Sequence, residues 1–287
     1  IASTHDIVLC FSNRGKVYWK KVYELPQAGR IARGRPMVNL LPLEEGERIN
    51  AVLAVREFDA NHYVFFATTH GTVKKTPLSE YSRPRASGII AIDLRDGDQL
   101  VNVALTHGQR DVMLFTDAGK ALRFTETEVR NMGRHACGVR GIRLSERQKV
   151  IALIVVEEGT VLTVTENGYG KRTPVADYPH RGRGGQGVIA IQTSERNGRV
   201  IGAVQVENDH EIMLITDGGT LVRTRVEEIS LVGRNTQGVK LINLQGNEKL
   251  VGVEKIEGIG EVEANGDFPV DDNSPVAEDE CEGGEDV

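Results

Sequence analysis

Basic residues recur at fixed distances from glycines along this chain, and they are the side chains best suited to bind a charged ligand. An arginine stands four residues before one glycine of a repeated segment in four of five copies, and three residues before it in the other copy. These arginines are Arg30, Arg134, Arg183, Arg234 and Arg85. Because guanidinium groups form charge-assisted hydrogen bonds with phosphate oxygens, the series predicts contact with a phosphate backbone.

A second basic series follows another glycine at a distance of four residues. It comprises Lys75, Arg123, Arg172 and Arg223, and Trp19 takes that place in the first copy. Further basic residues nearby are Arg33, Arg35, Lys74, Arg83, Lys171, Arg181 and Arg225. Together the basic residues are predicted to bind double-stranded DNA along its backbone, with little dependence on base sequence. The alternative is that they only solvate strand faces and blunt sheet edges, and charge periodicity does not decide between the two.

A run rich in glycine and arginine strengthens the prediction of phosphate binding. It consists of Arg181, Gly182, Arg183, Gly184, Gly185, Gln186 and Gly187. Glycines let the main chain approach a phosphate closely, and each arginine offers a planar fork of donors to its oxygens.

Catalytic and metal chemistry are not indicated. The six tyrosines lack a neighbouring acidic cluster for a divalent ion, and the seven histidines lack metal-ligand spacing. The three cysteines are far apart and outside any C-x-x-C pattern, so they predict neither a disulfide framework nor a zinc site. We therefore expect no catalytic residue, metal or cofactor in this segment.

The elements that must position these residues form a fivefold repeat of about fifty residues. Its turn glycines are Gly15, Gly71, Gly119, Gly168 and Gly219, and its loop glycines are Gly34, Gly88, Gly138, Gly187 and Gly238. Each copy contains short β-branched runs typical of strands, and no window shows a sustained helical period. Four strands per copy predict an all-β, propeller-like ring or spiral of blades.

Charge divides the chain into two regions. The net charge is −6, but residues 254–287 hold thirteen of the 41 acidic residues and one of the 35 basic ones, which leaves +6 on residues 1–253. We expect a folded domain over residues 1–256 and a disordered acidic tail over residues 257–287. No apolar stretch is long enough to span a bilayer, so a cytoplasmic protein without a membrane partner is predicted.

Several segments resemble one known family, the C-terminal domain of bacterial DNA gyrase A. They are Val22-Tyr-Glu-Leu-Pro26, Ala32-Arg-Gly-Arg-Pro36, Asn39-Leu-Leu-Pro-Leu43, Gly71-Thr-Val-Lys-Lys-Thr76, Gly138-Val-Arg-Gly-Ile-Arg-Leu144, Asn167-Gly-Tyr-Gly-Lys-Arg-Thr173 and Gly233-Arg-Asn-Thr-Gln-Gly238. The resemblance implies a six-bladed β-pinwheel whose neighbouring blades exchange strands. It also implies a non-catalytic domain that wraps DNA so that an ATP-dependent type II topoisomerase introduces negative supercoils.

The resemblance carries two further expectations. The partners would be the remainder of gyrase A and the gyrase B protein, in an A2B2 enzyme. The family's box, Q-R-R-G-G-K-G, has no full copy here, and Arg181 to Gly187 resembles a degenerate one. With five complete repeats of an expected six, the chain is interpreted as lacking most of the first blade.

Two alternatives stay open at this point. One is the C-terminal domain of topoisomerase IV, a decatenating relative with fewer or degenerate blades. The other is a propeller used as a protein-interaction scaffold or a glycan-active enzyme, which would need an apolar or carboxylate-lined face instead of a basic rim.

Overall fold

The computed structural model describes residues 2–27 and 34–256. In this part of the chain the regular elements are nineteen β-strands and six short 3-10 helices. The strands are β1 (Ile7–Ser12), β2 (Lys16–Lys21), β3 (Ile49–Val55), β4 (Tyr63–Thr68), β5 (Thr72–Pro77), β6 (Ile89–Ile90), β7 (Leu100–Thr106), β8 (Asp111–Thr116), β9 (Lys120–Thr125), β10 (Val139–Arg140), β11 (Val150–Val155), β12 (Thr160–Thr165), β13 (Tyr169–Pro174), β14 (Val188–Ile189), β15 (Val200–Val206), β16 (Glu211–Thr216), β17 (Leu221–Arg225), β18 (Val239–Lys240) and β19 (Leu250–Ile256). The 3-10 helices are Val22–Glu24, Met37–Asn39, Leu78–Tyr81, Glu126–Glu128, Val175–Asp177 and Val226–Glu228.

The strands form five antiparallel sheets, which we call blades A to E. Blade A has the order β3-β1-β2-β6, and blade B the order β7-β4-β5-β10. Blades C and D are β11-β8-β9-β14 and β15-β12-β13-β18, and blade E is β19-β16-β17. The first-named strands β3, β7, β11, β15 and β19 pack against one another in sequence, so they face the axis of the assembly. The strands β6, β10, β14 and β18 therefore form its outer edge.

Neighbouring blades exchange strands. The outermost strand of blade A, β6, belongs to the repeat that builds blade B, and the same holds for β10, β14 and β18 in the following blades. Blades A to D are thus completed by the loop of the next repeat, which confirms the predicted exchange and the all-β, propeller-like fold. Blade E has three strands among the described residues.

The turn glycines are the points at which the exchanged loop is fixed. Gly119 has a φ of +75°, and its carbonyl accepts the N–H groups of Ala190 and Ile191 at 2.8 and 3.2 Å. A Cβ at Gly119 would lie 2.2 Å from the Ile191 carbonyl oxygen, so only glycine fits both the backbone angle and the approach. The carbonyls of Gly15, Gly71 and Gly168 accept two N–H groups of the following repeat in the same way.

The hydrophobic cores lie between blades as well as within them. Phe11 of blade A packs edge-on against Phe66 and Tyr81 of the next repeat, with ring centroids 5.6 and 6.1 Å apart. Strands such as β4 are buried on both faces, which explains why they are continuously apolar instead of alternating. Burial of these side chains joins consecutive repeats into one folded body.

The first repeat departs from the pattern. The residues at the place of the exchanged strand form the 3-10 helix Met37–Asn39, and Val38 there is 60% exposed. Exchange runs toward the preceding blade, and no described strand precedes β1. The prediction of a disordered acidic tail concerns residues 257–287, which lie outside the described residues. No helix in the described part of the chain is long and apolar enough to cross a membrane.

Candidate nucleic-acid interface

Two of the predicted DNA-binding lysines lie inside junctions between blades. The Lys171 ammonium, on β13, donates to the carbonyls of Gly233 (2.7 Å) and Arg234 and to the Thr236 hydroxyl (3.1 Å). The Lys74 ammonium, on β5, donates to the carbonyls of Ala91 and Arg134 at 2.6 and 2.5 Å. Both side chains are fully buried. Each lysine therefore ties its own blade to the loop of the next repeat.

Burial also changes the protonation of these lysines. Loss of hydration, reinforced by the nearby Arg134 guanidinium, lowers the pKa of Lys74 to about 7. The same cause, with Arg234 as the neighbouring cation, lowers the pKa of Lys171 to about 8. Their ammonium groups serve the protein interior and are not available to a ligand at the surface.

The second basic series also ties consecutive repeats together, one residue further along each strand. The side chains of Lys75, Arg123 and Arg172 each donate to a backbone carbonyl in the 3-10 turn, or just after it, of the following repeat. The acceptors are Glu126 (3.0 Å), Val175 (3.3 Å) and Ile229 (2.8 Å). Trp19, the exception in the sequence, donates its indole N–H to the Tyr81 carbonyl at 3.0 Å. The shared property of this position is a long side chain with an N–H donor, and charge is secondary.

Five predicted DNA-binding residues are thus corrected to junction residues, namely Lys74, Lys75, Arg123, Lys171 and Arg172. Their strands are exposed edges in an isolated repeat, but the exchanged loop of the next repeat covers those edges. Arg123 keeps some exposure, with 22% of its side chain accessible, and its Nε is engaged by the Asp111 carboxylate at 2.9 Å. We remove these five residues from the candidate interface.

The loop arginines occupy a different place, at the outer edge. Nη1 of Arg183 donates to the carbonyl of Arg140 at 2.5 Å, and Nη1 of Arg234 donates to the carbonyl of Ile189 at 3.0 Å. Both acceptors are the second residues of outermost strands of the preceding blades. The two arginines therefore bridge adjacent blades at the surface and remain partly exposed. Arg134 lies at the equivalent position, with its Nε 3.9 Å from the Glu80 carboxylate.

The other predicted residues are divided among loops and blade E. The residues at exposed loop positions are Arg35, Arg83, Arg85 and Arg181. Arg223 and Arg225 lie exposed on β17, where they pair with the carboxylates of Glu211 and Glu227. Arg30 and Arg33 lie outside the described residues. The exposed loop arginines, with Arg134, Arg183 and Arg234, form the candidate interface.

The Gly/Arg run forms a turn between two repeats. The N–H groups of Arg183 and Gly184 donate to the Glu128 carboxylate (2.8 Å) and to the Gly141 carbonyl (2.7 Å). Gly187 has a φ of +74°, and a Cβ there would meet the Ala121 carbonyl at 2.5 Å. These two main-chain donors are therefore used within the protein, and we expect a phosphate to be bound by the arginine side chains.

Two basic residues of the outer edge were missed by the sequence analysis. Arg140 and Lys240 are the second residues of β10 and β18, and both are exposed. Each stands two residues after a loop glycine, which is a signal that the sequence contains. Isoleucine stands at the same offset in two other repeats, so the series is not uniformly basic.

Three tyrosines and one group around a histidine are potential catalytic or metal-binding positions in the described residues. Tyr18, Tyr81 and Tyr178 are buried, and loss of hydration raises the pKa of Tyr178 to about 12. The carboxylates of Glu207 and Asp209 lie close to the ring of His210, but Nδ1 of that ring accepts the Glu207 N–H at 3.0 Å. Exposed acidic groups of this kind are common without an ion, so the group is not assigned as a metal site.

The chain is similar to known proteins over most of its length. The family model described as DNA gyrase C-terminal domain, beta-propeller, matches residues 6–56, 62–107, 110–157, 159–207 and 210–257, one match for each repeat. The DNA gyrase A protein of Salmonella typhimurium is 61% identical over 253 residues, which cover 88% of this chain and 29% of the relative. The chain thus spans about 29% of the length of that relative.

Two solved structures share the fold. The C-terminal domain of DNA topoisomerase IV matches with a TM-score of 0.82 and 29% identity, covering 88% of this chain and 80% of its own. The DNA gyrase A C-terminal domain matches with a TM-score of 0.77 and 26% identity, covering 88% and 83%.

Proposed function

The chain belongs to the DNA gyrase C-terminal domain, beta-propeller family, and on this premise we propose that it binds double-stranded DNA along its outer edge and wraps it. The observation that carries the proposal is the placement of the loop arginines. Arg183 and Arg234 bridge consecutive blades at the outer edge, so their guanidinium groups recur along one continuous surface. A series of this kind fits the regular phosphates of a duplex.

Wrapping requires that contacts offset the cost of bending. Smooth bending of 20 to 30 base pairs by 40 to 90° costs about 1 to 6 kcal/mol. Several phosphate contacts, each releasing counterions, can supply that free energy without reading bases. The blades are held to one another by buried side-chain donors, so the arginines they carry have fixed spacing. A rigid basic edge favours bent DNA over straight DNA.

The family also suggests a role for this segment within a larger enzyme. We propose that this segment acts within gyrase A, together with the gyrase B protein in an A2B2 topoisomerase, and that the wrap supports negative supercoiling. Cleavage and ATP chemistry would reside in other parts of that enzyme, without a cofactor in this segment. The basic character of the outer edge favours this role over a protein-interaction scaffold.

A salt titration tests DNA binding directly. Replacing Arg181, Arg183 and Arg234 by Ala should weaken binding to duplex DNA and reduce the slope of log K against log salt by roughly 0.9 per lost phosphate contact. The matched control is Arg56→Ala, an arginine 72% exposed just after the inner strand β3, for which neither affinity nor slope should change. An unchanged slope in the triple variant would contradict the proposal.

Wrapping is tested separately by topology. Nicked circular DNA is ligated in the presence of the domain, and the linking-number shift of the products reports constrained writhe. We expect a shift with the wild-type domain and a smaller one with the triple variant. Binding without any shift would restrict the function to DNA binding.

A further inference from the structure

The outermost strands of blades A to D end in two different types of exposed side chain. The second residue of β6 and of β14 is an isoleucine, Ile90 or Ile189, and these are 42% and 43% exposed. The second residue of β10 and of β18 is basic, Arg140 or Lys240, and is also exposed. Along the outer edge, apolar and basic side chains therefore alternate from one blade to the next.

The residues opposite them in the neighbouring strand alternate in the reverse sense. Ile90 is paired with Lys16, and Ile189 is paired with Lys120. In blades B and D, by contrast, the basic residue stands outermost and its partner is uncharged, as in the pairs of Arg140 with Thr72 and of Lys240 with Tyr169. Each of these four blades thus has one basic residue in this cross-strand pair, but only blades B and D place it outermost.

Two of these positions contact arginines of the candidate interface. The carbonyl of Ile189 accepts the Arg234 guanidinium at 3.0 Å, and the carbonyl of Arg140 accepts the Arg183 guanidinium at 2.5 Å. An exposed isoleucine on an outermost strand presents apolar surface to solvent. Lys16 beside Ile90 is paired with the Glu44 carboxylate at 2.5 Å, whereas Lys120 beside Ile189 is partly exposed. A partner that covers the isoleucines therefore needs apolar surface and, at blade C, negative charge.

The duplex minor groove offers such a surface, because deoxyribose C–H groups form its walls and phosphates line its rims. Resting on the proposed DNA binding, we propose that the outer edge contacts DNA in two alternating ways. At blades B and D, Arg140 and Lys240 bind phosphates. At blades A and C, Ile90 and Ile189 press against the sugar walls of the minor groove, with Lys16 and Lys120 one strand behind them.

The arrangement has a mechanical consequence. A duplex wrapped on the outer edge curves toward the protein, so the minor grooves that face blades A and C would be compressed. Sequences with a naturally narrow minor groove, such as A-tracts, would therefore be favoured at those two places. The outer edge would thereby prefer particular DNA sequences at every second blade, without base-specific hydrogen bonds.

Two double variants separate the two kinds of contact. Ile90→Ser with Ile189→Ser should weaken duplex binding about tenfold and leave the salt slope unchanged, since apolar area is lost and no phosphate contact is removed. Arg140→Gln with Lys240→Gln should lower the slope by roughly 1.8, about 0.9 for each lost phosphate contact. The control is Val251→Ser, which changes a valine that is 54% exposed on the inner strand β19 and should leave both quantities unchanged.

Hydroxyl-radical footprinting gives an independent readout, because the radical attacks deoxyribose from the minor groove. We expect protected sugars at the positions facing blades A and C, and loss of that protection in the serine variant. If the serine variant keeps its affinity and footprint while the glutamine variant loses slope, this inference is wrong and the proposed DNA binding stands. A serine variant with a reduced slope also overturns it, since the isoleucines would then only support phosphate contacts. Absence of duplex binding by the wild-type domain would overturn the proposed function itself.

Discussion

Two sets of basic residues follow the same repeat, yet they lie in opposite environments. The strand set, with Lys74 and Lys171, is buried and donates to backbone carbonyls of the next repeat. The loop set, with Arg183 and Arg234, lies at the outer edge and is partly exposed. The difference teaches that a periodic charge identifies an equivalent position in each repeat without identifying which surface that position faces.

Strand exchange is the physical reason for the difference. In blades A to D the loop of the following repeat covers the second strand of the hairpin, so long side chains there meet backbone carbonyls. Blade E has no following repeat among the described residues, and at the equivalent position Arg223 stays exposed and pairs with Glu211. The same sequence position is therefore buried or exposed according to what comes next along the chain.

The largest expected effect breaks a junction without touching the surface. Lys171→Met keeps the apolar stem but leaves the carbonyls of Gly233 and Arg234 without their donor, and should lower the free energy of unfolding by about 2 to 4 kcal/mol. Urea denaturation measures it, with hydrogen exchange of β16 and β17 as a local readout. The control is Lys240→Met on the outer edge, expected within about 0.5 kcal/mol of wild type. Equal stability of the two variants would contradict the assignment of Lys171 to the junction.

A smaller effect should appear in the pH dependence. The pKa of Lys74 is about 7 in the folded state against 10.5 as its ordinary value, so the unfolded chain binds more protons between these limits. Stability should therefore rise with pH in this window, by at most about 1.4 kcal/mol per pH unit. We expect the stability difference between wild type and Lys74→Met to grow by about 1 to 2 kcal/mol from pH 6.5 to pH 9. A difference independent of pH would show that Lys74 stays charged throughout.

Trp19, which takes the place of the basic residue in the first repeat, provides a further test. Trp19→Phe removes the indole donor from the Tyr81 carbonyl while keeping an aromatic ring, and should cost about 1 kcal/mol. Affinity for duplex DNA and its salt slope should stay at the wild-type values, because this position holds blades A and B together. A change in the salt slope would indicate that the strand series also contributes to DNA binding.

The repeat and its strands could be predicted from the sequence, because turn glycines such as Gly119 recur with apolar runs at fixed offsets. The 3-10 helix at Met37–Asn39 could not, since the other four repeats have an exchanged strand at the same place. The burial of Lys74 and Lys171 was also missed. Lys74 and Lys171 donate to the carbonyls of Arg134 and Gly233, which lie sixty or more residues away in sequence. Every residue type has a backbone carbonyl, so the sequence does not indicate which carbonyl accepts such a bond.

The alternation at the outer edge could be predicted only in part. Arg140 stands two residues after a loop glycine and Lys120 directly after a turn glycine, so each is visible as a repeated offset. Ile189 is an outermost residue that pairs with Lys120 of the preceding repeat. This pairing depends on the exchange of strands between repeats. The family resemblance implied the exchange, but the register that creates these pairs had to be observed.

The smallest expected effect is that of Arg223→Gln, which we compare with Arg172→Gln at the equivalent position of another blade. Arg172 is 7% exposed, and its Nε and Nη1 donate to the Ile229 carbonyl and to Asn208, so Arg172→Gln should cost about 2 kcal/mol through unsatisfied acceptors. Arg223→Gln removes an exposed pair with Glu211 and should change stability by less than about 0.5 kcal/mol, an effect that disappears at high salt. Urea denaturation of both variants at two salt concentrations measures the contrast. If Arg223→Gln proved as costly as Arg172→Gln, the exposed edge of blade E would have to be covered in the same way as the other four junction strands, and the comparison between buried and exposed strand residues would fail.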